Sequence, residues 1–417
     1  MRQIFLCRNA WLSFWTANVL LLRWGIVWNV AKMLLCRNGW GYREYGCPSC
    51  GTSRRVHFSC KSRFCSSCGK VAVDRWVQTT LSDVLDVPYQ HLVFTVPEEL
   101  RDWIQCNRTE ALNALFGAAS STLLDWTSQR GYRPGIIAVQ HTFGADLKFN
   151  PHLHLIITCG GLSPTETWIA NCFLPQKAIR PMYRYAFLKA LSALFKAGRL
   201  HPPPAQRSIR DHKTFESYLT QFHRKEWYVH FGRSLEDPTA SVRYIGRYCK
   251  RPVLAESKIE AFDGKTVTFG FKDRATGEQT SLALPTAEFI ARIIQHIPEP
   301  HFRVVRHYGL FSNRTRSANL AATRQALKQR PKLKPAPLLW RDLFQRTFHK
   351  DPLACPICRR TMAFVAVTFT ASADIRARVS AQHSNLKSRR HAHASTQKTS
   401  HPPKLAPSQP LPACASP

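Results

Sequence analysis

The stretch Phe149-Asn-Pro-His-Leu-His-Leu-Ile-Ile-Thr158 decides the fold of this chain. Its apolar and β-branched second half predicts a buried strand. Side chains alternate along a strand, so His152 and His154 point to the same face. Two imidazoles on one rigid element are typical of a site for a metal ion with open coordination positions. The pattern is weak evidence by itself, because many unrelated strands contain two histidines around one apolar residue.

A third histidine, His141, lies in the preceding apolar run, residues 135–143. If the two runs pair as antiparallel strands through a turn at residues 144–151, His141 reaches the same face as His152 and His154. The alternative is that one of the three is an ordinary core or surface histidine, since most histidines bind no metal. We expect three imidazoles that converge within one hairpin to form a metal site.

A pair of tyrosines supplies the second pattern, in the sequence Tyr244-Ile-Gly-Arg-Tyr248. Residues four apart lie on one face of a helix, so both phenols would project in the same direction. A tyrosine is a competent nucleophile toward phosphate when a metal polarises the phosphoryl oxygen. Basic residues suited to a phosphodiester surround the pair: Arg243, Arg247, Lys250 and Arg251. This charge argues against the alternative, a buried aromatic face of a helix.

Together, the histidine hairpin and the tyrosine pair resemble the HUH endonucleases, in which U stands for a hydrophobic residue. Within that group the chain is similar to the two-tyrosine transposases of the insertion-sequence-91 family. The matching motifs follow in order and are Cys47-Pro-Ser-Cys-Gly51, Ser59 to Gly69, His91 to Pro97, His141 to Leu147, Asn150 to His154, Tyr244 to Pro252 and Arg306 to Arg314. One departure is Asn150, where relatives often carry a histidine. We do not expect Asn150 to be a ligand.

The resemblance implies roles for the residues of both patterns. His141, His152 and His154 would hold Mg²⁺ or Mn²⁺, and Tyr244 and Tyr248 would be the nucleophiles. The implied reaction is metal-dependent cleavage of single-stranded DNA and strand transfer through 5′-phosphotyrosine intermediates, in rolling-circle transposition. The implied partners are single-stranded element ends and target DNA, in the cytoplasm of a bacterium and associated with its nucleoid. No membrane partner is expected.

The expected fold class is α+β. Predicted strands and helices are mixed along the chain without repeated strand–helix–strand units, which disfavours a doubly wound sheet. The resemblance implies a central antiparallel sheet that carries the HUH metal site, with flanking helices and a small N-terminal zinc-binding module. The individual elements predicted are strands at 91–96, 136–143, 152–158, 259–262 and 266–272, and helices at 98–130, 183–200, 214–228, 239–250 and 285–297.

Cysteine spacing predicts a structural Zn²⁺ site near the N-terminus. Two pairs of the form Cys-x-x-Cys stand one loop apart, the spacing of a tetrahedral site, and either Cys60 or His57 between them is able to replace one ligand. The candidate zinc ligands are Cys47, Cys50, Cys60, Cys65 and Cys68. A further pair, Cys355 and Cys358, is half of another site, but no second pair follows it at ordinary spacing.

The charge balance indicates a polyanionic partner. The chain has 417 residues, with 59 Lys and Arg against 26 Asp and Glu, and a formal net charge of +33. Such an excess predicts attraction to a polyanion that is strongest at low salt. Charge alone does not distinguish DNA from RNA or from an anionic membrane.

Five segments are expected along the chain. They are a divergent apolar leader (1–35), a zinc-binding DNA-binding module (36–85), the two-tyrosine catalytic domain (86–313), a basic linker with a CxxC-containing segment (314–379) and a disordered basic tail (380–417). Polar and charged residues interrupt the apolar run at 11–35, which favours an amphipathic or buried helix over a membrane span. The tail contains no acidic and few large apolar residues, too few to offset the entropy of ordering it.

Two other functions were weighed from the same residues. One is a non-catalytic zinc-finger DNA-binding protein, and the other is an HUH endonuclease of the plasmid-relaxase or replication-initiator type. The zinc motif and the segment from Arg306 to Arg314 argue against the second. A third alternative is an inactive copy of an element.

Overall fold

The structure is a computed structural model that describes residues 1–396, with gaps at 38, 63, 172, 236, 238, 241, 243–245, 247–252, 274–275, 333–335, 337 and 370–371. Its helices are α1 (Arg2–Leu6), α2 (Ala10–Ala17), α3 (Trp24–Leu34), α4 (Ser66–Leu81), α5 (Arg101–Cys106), α6 (Arg108–Ser128), α7 (Gln176–Lys196), α8 (His212–Arg224), α9 (Thr286–Ile294), α10 (Arg316–Ala326), α11 (Trp340–Phe348) and α12 (Ser372–Thr396). Its strands are β1 (Gly41–Gly46), β2 (Ser53–His57), β3 (Tyr89–Phe94), β4 (Gly135–Phe143), β5 (Phe149–Thr158), β6 (Gly161–Leu162), β7 (Trp168–Ile169), β8 (Val229–Leu235), β9 (Ile259–Phe262), β10 (Thr266–Lys272), β11 (Gln279–Pro285), β12 (Val305–Gly309) and β13 (Ala363–Phe369).

A five-stranded antiparallel sheet forms the centre, in the order β12-β4-β5-β3-β8. The expected hairpin is the pair β4 and β5, and β5 is the middle strand of the sheet. Both strands are buried along almost their whole length, which explains why their sequences are apolar on both faces. The fold class is therefore confirmed as α+β with a central antiparallel sheet.

The two faces of this sheet pack against different partners. Ala138 and Leu155 point to the face covered by helices α5 to α8 and share one hydrophobic cluster with Phe187 and Phe215. Neighbouring residues along the same strands, such as Val139 and Ile156, belong to a second cluster on the opposite face. Because side chains alternate along each strand, each residue of the hairpin faces either the cluster under helices α5 to α8 or the cluster on the opposite face.

The helix expected at 98–130 is divided at Asn107, whose φ of −118° and ψ of 46° are not helical. Its side chain donates to the carbonyl oxygens of Trp103 and His201 at 2.9 and 2.8 Å and accepts from the backbone N–H of His201 at 2.7 Å. Asn107 thus uses its side chain to close the first helix and to tie it to a distant loop. The apolar periodicity on both sides does not reveal this break.

The N-terminal segment is built of three helices packed against the rest of the protein. Trp11, Trp15, Val27 and Val30 are buried in a cluster that also contains Phe289 of α9. A turn at residues 18–23 separates α2 from α3. Among the residues that the structure describes, no helix is long and apolar enough to cross a membrane.

A second antiparallel sheet, β11-β10-β9, supports the central hairpin through α9. Residues at the end of α9 and just after it bind the backbone of the β4–β5 turn. Arg292 donates to the carbonyl oxygen of Asp146, and both Gln295 and His296 bond the carbonyl oxygen of Leu147, each at 3.0 Å. The turn that joins the two histidine-bearing strands is thereby held from outside.

The C-terminal region returns to the N-terminus. Strand β13 pairs with β1 in the sheet β13-β1-β2. Helix α12 extends to Thr396, into the segment expected to be disordered, and His383 on it is buried and accepts a hydrogen bond from Trp15 at 3.0 Å. This polar segment therefore packs against N-terminal aromatic residues, a contact that its composition alone does not predict. Residues 397–417 lie outside the described residues.

Acid should weaken the hydrogen bonds that hold the β4–β5 turn, because it protonates His296. Its Nε2 faces a carbonyl oxygen and must carry the proton, while its Nδ1 accepts from the hydroxyl of Thr142 at 3.1 Å. Burial lowers the pKa of this imidazole to about 3. Between that value and the unfolded value near 6.5, the unfolded chain binds a proton that the folded chain excludes. Stability should therefore fall as the pH falls through this window, by up to about 1.4 kcal/mol per pH unit from this residue.

Denaturant unfolding at pH 7.5 and pH 5.0 checks this expectation on the wild type and on His296→Gln. The glutamine variant should be less stable at pH 7.5 but should lose less stability on acidification. All other titrating groups are common to both proteins, so they cancel in the difference. Equal pH slopes would show that His296 does not carry the effect.

Candidate active site

Three imidazoles converge on one face of the β4–β5 hairpin. His141 is paired directly with His152, and His154 is paired with Val139. The ring centroids lie 5.4 Å apart for His141 and His152, 4.8 Å for His141 and His154, and 5.0 Å for His152 and His154. Each ring offers a nitrogen, and these nitrogens all lie within 4.8 Å of one another. The structure thus brings together the three histidines that the sequence singles out.

Hydrogen bonds orient two of these rings. The Nδ1 of His152 lies 2.7 Å from the carbonyl oxygen of Asn150, so this nitrogen carries the proton and Nε2 is the one that can ligate. The Nδ1 of His154 lies 3.0 Å from the Nε2 of His91 on β3, and the two rings stack at 8°. Asn150 therefore contributes to the orientation of His152 through its backbone carbonyl oxygen.

His91 is a site residue that the sequence reasoning did not select. Burial, and after it the neighbouring His230, lowers the pKa of His91 to about 4, so the ring is neutral at pH 7. A neutral imidazole can hold the tautomer of a neighbouring ligand histidine in the way that second partners of metal-bound histidines do. The only signal in the sequence was the motif His91 to Pro97, which gave no role for the histidine itself.

The tyrosine pair lies outside the described residues, as do Arg243, Arg247, Lys250 and Arg251. Two residues beside the pair are described and are helical, Val242 and Gly246. Val242 is fully buried in the cluster that contains Val139, on the face of the sheet that bears the imidazoles. A Cβ atom added to Gly246 would lie 2.2 Å from a methyl of Val77 on α4. Val242 therefore packs on that face, and Gly246 lies close to α4.

Eight cysteines form two clusters of four. The first contains Cys36, Cys60, Cys65 and Cys68, and the second contains Cys47, Cys50, Cys355 and Cys358. In the first, three pairs of sulfur atoms lie 3.6 to 3.8 Å apart. Cys65 precedes α4 and Cys68 lies in its first turn, where the helix dipole favours a thiolate.

These clusters correct the assignment of one site to the two N-terminal CxxC pairs. Cys47 and Cys50 lie at the end of the β1–β2 hairpin, whereas Cys65 and Cys68 lie at the start of α4. The two pairs are close in sequence but not in space, because strand β2 lies between them and separates them. His57 lies on that strand with its ring 5.6 Å from Tyr42 and is in neither cluster.

Cys36 is the ligand candidate that sequence reasoning missed. It follows α3, is buried, and lies with its sulfur 3.7 Å from that of Cys68. It has no second cysteine two or three residues away, so spacing gave no indication of its role.

Two family models match parts of this chain. A family model described as "Putative transposase" matches residues 135–319, and the model of the transposase zinc-binding domain of insertion-sequence-91 elements matches residues 7–96. The first range includes all three histidines and both tyrosines, and the second includes six of the eight clustered cysteines. The chain therefore contains a zinc-binding domain, which supports structural Zn²⁺.

Two curated relatives cover most of the chain. The transposase for insertion sequence element IS801 of Pseudomonas savastanoi pv. phaseolicola is 31% identical over 81% of this chain and 82% of its own length. The "Putative transposase y4qJ" of Sinorhizobium fredii is 30% identical over 78% of this chain and 85% of its own length. No solved structure matches the chain significantly. The chain therefore belongs to the insertion-sequence-91 family of transposases, enzymes that act on DNA.

Proposed function

We propose that this transposase cuts and transfers single-stranded DNA with tyrosine nucleophiles beside a divalent cation, and that it moves its element by rolling-circle transposition. The observation that carries the proposal is the convergence of His141, His152 and His154 on one buried face of the central hairpin. The finer chemistry is that of the HUH endonucleases, which the sequence resembles.

The donor set fits a divalent cation. Three imidazole nitrogens within 4.8 Å leave coordination positions for oxygen atoms of a substrate or water. Imidazole is a better match to Mn²⁺ than to Mg²⁺, so we expect the tighter binding from Mn²⁺. A bound cation would draw charge from the non-bridging oxygens of the scissile phosphate.

The surrounding residues hold the donors in place before substrate arrives. The Asn150 carbonyl and the His91 ring each engage the Nδ1 of a candidate ligand. Hydrogen bonds of this kind fix ring orientation and raise ligand basicity. Because the three rings are 7% exposed or less, little water competes for these hydrogen bonds.

Tyr244 and Tyr248 are proposed as the two nucleophiles. The phenolic oxygen of one tyrosine loses its proton and bonds to phosphorus, and the bond from phosphorus to the 3′ oxygen breaks. The released 3′ oxygen takes up a proton, and the strand remains attached as a 5′-phosphotyrosine. The covalent link keeps the energy of the phosphodiester, so rejoining needs no nucleotide cofactor. A second tyrosine allows a second strand to be cut while the first is still attached.

The packing of Val242 and Gly246 supports this choice of nucleophile. Both residues are buried, and Val242 shares its cluster with residues of the imidazole-bearing face. A glycine is needed at position 246 because a side chain would meet Val77. The two described residues beside the tyrosines thus pack in the same layer of the molecule as the candidate metal site.

Charge supports a nucleic-acid substrate. The net charge of +33 favours a nucleic-acid backbone. Arg243, Arg247, Lys250 and Arg251 are proposed to contact the phosphates beside the tyrosines. Cleavage and binding should therefore both weaken steeply as salt is raised.

Replacing both Tyr244 and Tyr248 with Phe should abolish covalent attachment to single-stranded oligonucleotides that tile the element ends. A 3′-terminal label should migrate with wild-type protein on a denaturing gel, whereas a 5′-terminal label should be released on a free fragment. Tyr185→Phe is the matched control, because Tyr185 is exposed on α7. An adduct that persists in the double variant would show that another residue is the nucleophile.

His152→Ala should lower Mn²⁺-dependent cleavage of the same oligonucleotides by at least about a hundredfold, since it removes one of three ligands. His223→Ala, which changes an exposed histidine on α8, should cleave like the wild type. Cleavage rates measured against Mn²⁺ concentration distinguish the two variants. If His152→Ala cleaves at the wild-type rate, the histidine hairpin is not the metal site used in cleavage.

His91→Phe should raise the Mn²⁺ concentration needed for half-maximal cleavage by about ten- to a hundredfold, as loss of such a partner typically does. His91→Gln, which can still bond the Nδ1 of His154, should restore part of the affinity. A role confined to packing would instead lower the amount of folded protein and leave the Mn²⁺ midpoint of both variants unchanged.

A further inference from the structure

The second cysteine cluster joins two parts of the chain that are far apart in sequence. Cys47 and Cys50 come from the N-terminal region, and Cys355 and Cys358 come from the segment after α11. The Cys50 and Cys355 sulfur atoms lie 3.5 Å apart although 305 positions separate the two residues. The match to the zinc-binding domain ends at residue 96 and so contains only half of this cluster.

The two halves have the same backbone structure. In the first, Cys47-Pro-Ser-Cys-Gly-Thr52, the N–H of Gly51 donates to the Cys47 oxygen at 2.9 Å, and the N–H of Cys47 donates to the Thr52 oxygen at 2.8 Å. Gly51 adopts a left-handed φ of +72°. The turn presents both sulfur atoms to one side of the hairpin formed by β1 and β2.

The second half, Cys355-Pro-Ile-Cys-Arg-Arg360, repeats each feature. The N–H of Arg359 donates to the Cys355 oxygen at 3.1 Å, and the N–H of Cys355 donates to the Arg360 oxygen at 2.9 Å. Arg359 occupies the left-handed region at φ +63°, where Gly51 stands in the first half. A residue with a Cβ atom held in this unfavourable conformation indicates that the turn is fixed by its surroundings.

The sulfur atoms have the spacing of a tetrahedral metal site. Cys47 and Cys358 are separated by 3.4 Å, and Cys50 and Cys355 by 3.5 Å. A zinc–sulfur bond of about 2.3 Å places tetrahedral sulfur atoms about 3.8 Å apart. All four sulfur atoms lie within 4.8 Å of one another, so the cluster is not two isolated pairs.

Contacts around the cluster join the same two segments. Arg54 donates to the carbonyl oxygen of Ala354 at 3.4 Å, and Arg360 donates to the hydroxyl of Ser49 at 3.1 Å. Strands β1 and β13 pair over Gly41 to Gly46, directly beside the cysteines. Four thiolates around Zn²⁺ carry a net charge of −2, and the two arginines supply neighbouring positive charge.

We propose that Cys47, Cys50, Cys355 and Cys358 bind a second structural Zn²⁺ and form a zinc ribbon divided between the two ends of the chain. Two equivalent CxxC turns and the sheet β13-β1-β2 make up this ribbon. The ion links the zinc-binding region to the C-terminal segment and thereby closes the chain around the catalytic domain. The N-terminal half cannot complete this site without residues 355–358.

Zinc content of the full-length chain, purified under reducing conditions, tests the proposal. Wild-type protein should contain two Zn²⁺ per chain, and Cys355→Ser with Cys358→Ser should contain one. Cys7→Ser is the control, because Cys7 is in neither cluster, and it should contain two. One Zn²⁺ in the wild type, or two in the double variant, would overturn the proposal.

Cadmium-113 NMR of the exchanged wild-type chain gives a measurement that does not depend on a variant that folds. It should show two signals of the four-thiolate type. One of the two signals should be lost both in Cys47→Ser and in Cys355→Ser. The other signal should be lost in Cys36→Ser. A single four-thiolate signal would contradict the divided site. Alkylation of Cys355 gives a second check. If a reductant exposes Cys355 to alkylation and a chelator does not, Cys355 is in a disulfide, and the divided site is contradicted.

Discussion

The register of the β4–β5 hairpin is the constraint on which the candidate active site depends. His141 stands opposite His152, and alternation places His154 on the same face. A slip of one residue in this pairing would move one strand's histidines to the face covered by α5 to α8. Apolar residues on both faces resist such a slip, since Ala138 and Leu155 belong to one cluster and Val139 and Ile156 to the other. The packed core of the sheet thus helps to fix the geometry of the imidazoles.

Patterns that are local in sequence predicted this part of the protein well. The hairpin and the convergence of the three histidines follow from period-two alternation and one turn. The fold class follows from the mixture of predicted strands and helices, and the central sheet from the resemblance. The hairpin at 259–262 and 266–272 has the predicted bounds, because Asp263-Gly264 defines the turn between its strands. The chemical interpretation of His141, His152 and His154 came from a resemblance as well as from spacing, and their ligation remains a proposal.

Features that depend on distant residues were not accessible from sequence. The cysteines divide between two clusters because Cys36 joins the first cluster, and the pair Cys355 and Cys358 joins the second, from distant positions in the sequence. Asn107 ends a helix by bonding His201, and α12 is ordered beside Trp15. In each case a side chain finds its partner only after the chain has folded, so local propensity and spacing do not report it. His91 belongs to this group, since its role depends on the neighbouring strand that carries His154.

The turn between the two histidine-bearing strands connects the β4–β5 hairpin to the N-terminal region. Leu147 holds a left-handed φ of +65° in this turn and is 1% exposed. That conformation costs a residue with a side chain about 1–2 kcal/mol, and burying a leucine side chain contributes about 1.5–3 kcal/mol. The burial is provided by the cluster that contains Val27, Phe289 and the cysteines of the first cluster. Burial of Leu147 in this cluster, together with the hydrogen bonds from residues at the end of α9 and just after it, therefore stabilises the turn in this form. Assembly of this cluster, which includes residues of the N-terminal helices and the four cysteines of the first cysteine cluster, thus favours the turn between the two histidine-bearing strands, although these residues are distant in sequence.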